Sequence, residues 1–142
     1  MKTFSVKNYI KNMIKYNPKW IYLMRCIEKD GNVSYKIGYT KNDPIKRTEQ
    51  LQTGNKYEVE LIHKFWSDYS TKLESILHKS FKQYKDNTDK LHHKDNKGGK
   101  EWFDLPQNIV DDFISICEVY EKNFKFLVEK NTYLQDKYIS KK

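Results

Sequence analysis

Apolar positions along this chain keep two different rhythms. After Pro18, "WIYLMRCI" is a run of large apolar residues and reads as a buried strand. "EKDGN" follows, with Asp30-Gly31 as a two-residue type I′ turn. "VSYKIGYT" then alternates, and the two segments predict an antiparallel hairpin. "YEVELIHKFW" alternates before turning wholly apolar and predicts a third strand. The period changes in "STKLESILHKSFKQY", where Leu73, Ile76, Leu77, Phe81 and Tyr84 fall on one helical stripe. "QNIVDDFISICEVYEKNFKFLVEKNTYLQ" predicts one long helix with fraying last residues.

Between the second and third strands, "NDPIKRTEQLQTG" predicts a short, heavily punctuated helix. Asp43 suits the N-cap and Pro44 the first helical position. Ile45 and Leu51 mark its inward side, and Gly54 suits its C-terminal cap. Such punctuation fixes where the helix begins and therefore where Arg47, in its second turn, points. The helix N-terminus adds attraction for a phosphate group. The plainer alternative is a surface pair between Arg47 and Asp43, one turn earlier.

The 142 residues make one domain the default. Residues 1–18 read as a basic arm or short helix, residues 19–131 as the single domain and residues 132–142 as a fraying basic tail. "KDNTDKLHHKDNKGGK" reads as a solvated loop, with His92 and His93 in it, and "EWFDLP" as a short extended piece anchored by Trp102 and Phe103. Cys26 and Cys117 lie far apart in apolar segments, outside metal-ligand spacing, and read as reduced core residues of an intracellular protein, cytoplasmic or nuclear. "MKTFSVKNYIKNMIKYN" lacks an apolar run long enough for a secretory signal, and no segment approaches the ~20 apolar residues of a membrane span.

A net charge of +8 points to a polyanionic partner, nucleic acid first and an anionic membrane or acidic protein second. Lysine greatly outnumbers arginine, so compositional bias of an AT-rich genome is the competing explanation.

The pieces "IYLMR", "YKIGYT", "DPIKRTEQLQTGN", "ELIHKF", "LESILHKSF" and "EWFDL" follow one another from about residue 20 to 105. In that order, on those elements, the sequence resembles the GIY-YIG nuclease superfamily. It is most similar to the branch named after a phage open reading frame and described as a DNA-binding domain, which yeast meiotically up-regulated proteins share. The resemblance implies an α+β fold: a small three-stranded antiparallel sheet flanked by helices, here with a long C-terminal helix added. It further implies a DNA-binding endonuclease that hydrolyses phosphodiester bonds with one divalent ion, Mg²⁺ or Mn²⁺. No small-molecule cofactor and no membrane partner are expected.

Carried over residue by residue, the first motif supplies Tyr22 to help activate water, and the residue opening the second motif, Lys36, assists it. Arg47 would hold the scissile phosphate, and Glu74 would bind the metal. Tyr39 is placed to add a hydrogen bond; Tyr35 and His78 are secondary catalytic candidates. Lys41 and Lys46, with Arg47, would meet the DNA backbone. The superfamily's late asparagine corresponds to Asn87 or Asn108. A guanidinium suits the negative charge that builds on a phosphate in hydrolysis, and a carboxylate-held Mg²⁺ needs only one or two protein ligands. Tyrosine, with a pKa of ~10, is a poor base at neutral pH, and a neighbouring ammonium favours its phenolate.

This chain departs from the superfamily pattern twice. Trp20 stands where the family name has glycine, and Lys36 where it has tyrosine, although lysine is accepted there in this branch. An ideal two-residue turn at Asp30-Gly31 would also pair Tyr22 with Tyr39 and send Lys36 to the opposite face. Only a bulge or longer loop would bring Lys36 beside Tyr22.

Several bland readings stay open. Tyr22 and Lys36 could be ordinary strand residues. Thr71-x-x-Glu74 fits a capping box, which would spend Glu74 on closing a helix start. Glu74 and His78, four residues apart, make a pair more often structural than metal-binding. At the level of function, the alternatives are a non-catalytic DNA-binding module on the same fold, and an RNA-binding or protein-interaction domain.

Overall fold

A computed structural model describes residues 14–53, 57–85 and 102–134. The chain order is β1 (Lys19–Ile27), β2 (Val33–Thr40), α1 (Pro44–Thr53), β3 (Glu58–Ser67), α2 (Ser70–Ser80), a 3-10 turn (Lys82–Tyr84), β4 (Trp102–Phe103) and α3 (Gln107–Leu134). The strands form one antiparallel sheet in the order β3-β1-β2-β4. Among the described residues the fold is therefore α+β with a four-stranded sheet and three α-helices, the last one long. The expected three strands gain a fourth because "WF" pairs with Tyr35 and Lys36 on the outer edge of β2. That strand is too short for any alternation to announce it. No described helix is long and apolar enough to cross a membrane.

The β1–β2 hairpin differs from expectation by one residue. Its register pairs Ile27 with Val33 and Tyr22 with Gly38. The Gly31 N–H donates to the Glu28 carbonyl at 2.9 Å, and the Glu28 N–H donates to the Asn32 carbonyl at 2.9 Å. Gly31 adopts φ of 88°, the left-handed conformation that costs a glycine little. The connection is thus a three-residue loop whose last residue is a G1-type bulge, in place of a two-residue type I′ turn. Asp30 stabilises it by accepting from the Asn32 N–H at 3.0 Å and from its side-chain amide at 2.7 Å. The extra residue changes the partner of every position on β2.

Alternation then assigns side chains to the two sheet faces. Ile21, Leu23, Tyr35 and Ile37 face the main core with Leu73, Leu77, Phe81, Phe103, Phe113 and Cys117. Burying a side chain such as Leu73 stabilises the fold by about 1.5–3 kcal/mol, so this one face supplies most of the folding drive. Both long amphipathic segments lie here, as their stripes predict. A bulge at Ile62 shifts the β1–β3 register between Leu23 and Met24. It lets His63 face Phe113 in a stacked contact at 6.0 Å and donate from Nε2 to the Val110 carbonyl at 2.8 Å.

The opposite face carries Tyr22, Met24, Cys26, Lys36 and Gly38, and α1 lies beside it. Gln52 ties α1 to the start of β3, donating to the Tyr57 carbonyl at 2.7 Å and accepting from the Val59 N–H at 2.8 Å. Cys26, Tyr57 and Trp102 form a second small cluster on this side. Ile45, expected to face inward, is 51% exposed; Pro44 is the buried residue of the helix. With proline fixed at the first helical position, the next residue is turned outward.

The end of the segment read as a basic arm is tied to the domain. Ile14 joins the main core, and Asn17 donates its N–H to the Asp68 carbonyl at 2.7 Å. Across the same turn Glu121, buried on α3, accepts from the Ser67 hydroxyl at 2.7 Å and the Asp68 N–H at 2.8 Å. Gly54, Asn87, His92, His93 and the 135–142 part of the tail lie outside the described residues.

Candidate functional site

The site forms where β2 runs on past β4. Among the described residues β4 pairs with Tyr35 and Lys36, and none forms a strand beside the edge of β2 from Ile37 onward. A surface cleft of about 530 Å³ opens there, lined by Lys19, Tyr22, Gly38, Tyr39, Thr40, Lys41, Arg47, Gln50 and Glu74. The lining comes from β1, β2, the loop after β2, α1 and α2. Among the described residues, it holds basic groups from three segments and one carboxylate, Glu74.

Tyr22 reaches the cleft because Gly38 gives way to it. The two are cross-strand partners, and the phenol lies directly over the glycine. A Cβ at position 38 would sit 2.3 Å from the Tyr22 Oη and 2.6 Å from its Cζ. No residue but glycine leaves room for this ring, which is only 3% exposed. The glycine of "YKIG" is required here by close approach of a side chain, at a negative φ.

Arg47 lines the cleft from a helix that starts at Pro44. The Asp43 carboxylate accepts from the Ile45 N–H at 3.0 Å, which is N-cap geometry, and from Lys64 Nζ at 3.3 Å. The Ile45 N–H bond, aided by Lys64 and opposed by some desolvation, holds the Asp43 carboxyl below its usual range. Asp43 is therefore engaged with Lys64 and its own helix start, and the expected alternative of a pair with Arg47 is not what it forms. Gln50, three residues beyond Arg47, shares its helix side and also lines the cleft.

Glu74 is likewise not spent on a capping box. α2 begins at Ser70 after Tyr69, which makes no side-chain cap bond. Thr71 lies inside the helix and accepts from the Asn17 side-chain amide at 2.7 Å. The two-residue displacement of the helix start moves Glu74 from a capping position into the second turn, where it lines the cleft. Its neighbour His78 has another task. The His78 Nε2 meets the Ile37 carbonyl at 2.9 Å, its ring stands edge-on to Phe103 at 5.1 Å, and the Glu74 Oε1 is 3.9 Å away. His78 thus serves the carbonyl that the short β4 leaves without a strand partner, and it does not line the cleft.

The longer hairpin loop puts Lys36 on the same face as Tyr22, in the next pair on that face, opposite Met24. Lys36 is 3% exposed, with its Nζ 5.9 Å from the Trp102 ring centroid. It stands behind the cleft without lining it. Tyr35 faces the other side of the sheet and lines a separate depression with Arg25, Val33 and Tyr84. There the Glu60 carboxylate accepts from Arg25 and, against some desolvation, holds the guanidinium pKa above its ordinary value, with Tyr35 adding a smaller effect. Tyr39, opposite Ile21, is 37% exposed at the cleft rim, with Lys19 Nζ 5.0 Å from its ring centroid. Lys46 is exposed on α1 outside the lining, and Asn108 is exposed in the first turn of α3.

The cleft thus gathers Tyr22, Tyr39, Lys41, Arg47 and Glu74, and leaves Lys36, Tyr35, His78 and Lys46 outside. Lys19, Thr40 and Gln50 were not singled out from sequence. Gln50 was detectable from its helical spacing to Arg47; Lys19 and Thr40 needed the register. Among the described residues no group of three or more His, Cys, Asp or Glu side chains could hold a metal ion. Glu74 is the carboxylate that an ion in this cleft would have.

The family model described as "T5orf172 domain" matches residues 19–118. No curated protein and no solved structure matches the chain.

Proposed function

The chain belongs to the T5orf172 domain family, and on that premise we propose that it is a DNA-binding endonuclease built on a GIY-YIG-like scaffold. One observation carries the reading: Tyr22, Arg47 and Glu74, from three separate elements, line a single cleft with Lys19 and Lys41. A tyrosine, a guanidinium and a carboxylate brought together on a basic rim suit phosphodiester hydrolysis better than any other common reaction.

In this reading Arg47 grips the non-bridging oxygens of the scissile phosphate, where negative charge builds as water attacks. Lys19 and Lys41 hold neighbouring phosphates without reading bases. Tyr22 orients the attacking water and takes its proton as the new P–O bond forms and the bond to the leaving oxygen breaks. Buried behind it, the Lys36 ammonium favours the phenolate. Glu74 would hold a divalent ion, and one carboxylate suffices for Mg²⁺, which keeps several waters and takes phosphate oxygens as its other ligands. When bound, such an ion supplies charge neutralisation at the phosphate.

Purified protein with Mg²⁺ or Mn²⁺ and nicked, branched and duplex DNA tests the proposal. Nicking that Glu74→Ala abolishes, with binding preserved, is the expected result. Absence of cleavage on every substrate, or cleavage indifferent to Glu74→Ala, rejects the enzyme. The second reading is a DNA-binding module without catalysis on the same fold. Its support is that Lys36 replaces the superfamily's tyrosine and lies packed against Trp102 outside the cleft. Binding that persists in EDTA, weakens steeply with salt and brings no nicking would select it.

A further inference from the structure

The face that carries Tyr22 does not end at the cleft. In the next pair on that face, Trp20 stands opposite Trp66, on the same side as Tyr22 and Lys64. The two indoles touch edge to face, with centroids 5.3 Å apart and planes at 78°. Trp66 is 46% exposed, a large apolar area to leave in water. Lys64 Nζ lies 4.9 Å from the Trp20 ring centroid and is held there by its ion pair with Asp43 at 3.3 Å. Trp20 also pairs with Thr40, which lines the cleft. Same-face pairs on a strand are about 7 Å apart, so these indoles lie within one such step of the Tyr22–Gly38 pair.

Scattered surface aromatics need no explanation. This pair differs in three respects: contact between the rings fixes their orientation, a lysine flanks them, and they adjoin a basic cleft suited to a phosphate. Rigid aromatic faces beside a cationic track are the means by which proteins hold unpaired nucleotides, because any base can stack and the backbone supplies charge. A paired base cannot reach such a surface without leaving its stack.

We propose that the Trp20–Trp66 surface is a stacking platform for an unpaired nucleotide next to the phosphate held in the cleft, so that the preferred substrate is DNA with a gap, flap or branch. The inference rests on the nuclease or DNA-binding reading above and adds the substrate class. It also gives a use to Trp20, which stands where the superfamily's name has glycine.

The test compares binding of a fully paired duplex and the same duplex with a short single-stranded gap, for wild type, Trp66→Ala and Trp66→Phe. Thermal melting confirms that each variant folds. One stacked base predicts roughly a tenfold loss of affinity for the gapped DNA in Trp66→Ala, with duplex binding within about twofold of wild type. Trp66→Phe keeps an aromatic face and should recover most of the loss. Tryptophan emission should be quenched by an oligo-dT strand in wild type and much less in Trp66→Ala, since the buried Trp102 is out of reach. If Trp66→Ala binds both DNAs as wild type does, or weakens both equally, the platform is refuted while the cleft reading stands. If wild type binds neither DNA, both fall.

Discussion

Gly38→Ala is the smallest change that should disable the cleft while leaving its charges in place. A methyl group there would lie 2.3 Å from the Tyr22 Oη, where ordinary contact begins at 3.4 Å, so the phenol must withdraw by about 1 Å. The ring is 3% exposed and packed among buried neighbours, so the displacement is resisted. Overpacking of this kind costs about 1–3 kcal/mol. The backbone at Gly38 is compatible with alanine, and the lost chain entropy of glycine returns about 0.4–1 kcal/mol. The net expectation is destabilisation of about 1–2 kcal/mol, a fall of roughly 3–8 °C in Tm.

The effect on chemistry should be larger than the effect on stability. A catalytic group misplaced by about 1 Å loses on the order of 10²-fold in rate. The assay is nicking of labelled DNA under single-turnover conditions for wild type, Gly38→Ala, Tyr22→Phe and the double variant. Gly38→Ala should lower the rate about as much as Tyr22→Phe and leave duplex affinity within about twofold, because Arg47 and Lys41 are untouched. In the double variant the second change should add little, since the phenol is already gone. A Gly38→Ala protein that nicks at the wild-type rate, or one that loses the same factor again on the Tyr22→Phe background, would refute the argument that glycine is there for the tyrosine.

Three further outcomes follow from buried groups. Glu121→Ala strips the Ser67 hydroxyl and Asp68 N–H of their acceptor in a buried site and should cost about 2–3 kcal/mol in urea unfolding, whereas Glu118→Ala, on the exposed side of α3, should cost under about 0.5 kcal/mol. Burial pushes the Cys117 thiol up to about 12, with Glu121 and Glu118 adding to the effect, from an ordinary value of 9.0. The folded state therefore keeps a proton that the unfolded chain gives up above 9, so stability is full below pH 9 and falls as pH rises from 9 toward 12. Urea midpoints across that range check the sign, and the thiol should resist disulfide reagents until the protein unfolds. Lys36→Met removes the ammonium behind Tyr22 at similar volume, so the rising limb of the nicking pH profile should move to higher pH with duplex affinity unchanged; an unmoved profile would leave Lys36 only its contact with Trp102.

Elements with a long period were legible in the sequence. α2 and α3 carry stripes that continue for three or more turns, and the apolar run of β1 has only one reading after a proline. The Asp43-Pro44 start of α1 was legible because each residue fits one backbone position. Features that depended on a single residue were not. Ile45 looked inward by composition, yet the geometry that Pro44 imposes turns it out. Thr71-x-x-Glu74 matched a capping box, but Asn17, distant in sequence, engages Thr71, and the helix starts before it. β4 is two residues long and exists because Lys36 and Tyr35 offer it an edge, a fact of tertiary structure with no local signature.

The decisive case is the hairpin, since one residue there controls the whole site. Asp30-Gly31 satisfies a type I′ turn and a three-residue loop with a G1 bulge equally well by composition. What separates them lies beyond the turn. With Tyr22 opposite Tyr39, every apolar residue of β2 would change faces: Ile37 and Tyr35 would leave the main core, and Lys36 would enter it. Burying an ammonium there among Leu73, Leu77 and Phe113 is costly, and losing Ile37 from that core forfeits a further ~1.5–3 kcal/mol. The bulged loop keeps Ile37 in the core and buries Lys36, 3% exposed, on the opposite face, where its Nζ lies 5.9 Å from the Trp102 ring centroid. It sends Ile37 to the helices and puts Gly38, the one residue of β2 without a side chain, beneath Tyr22. The register that completes the core is thus the register that opens the cleft, and the site could have been read from sequence by asking which hairpin loop keeps Ile37 inside.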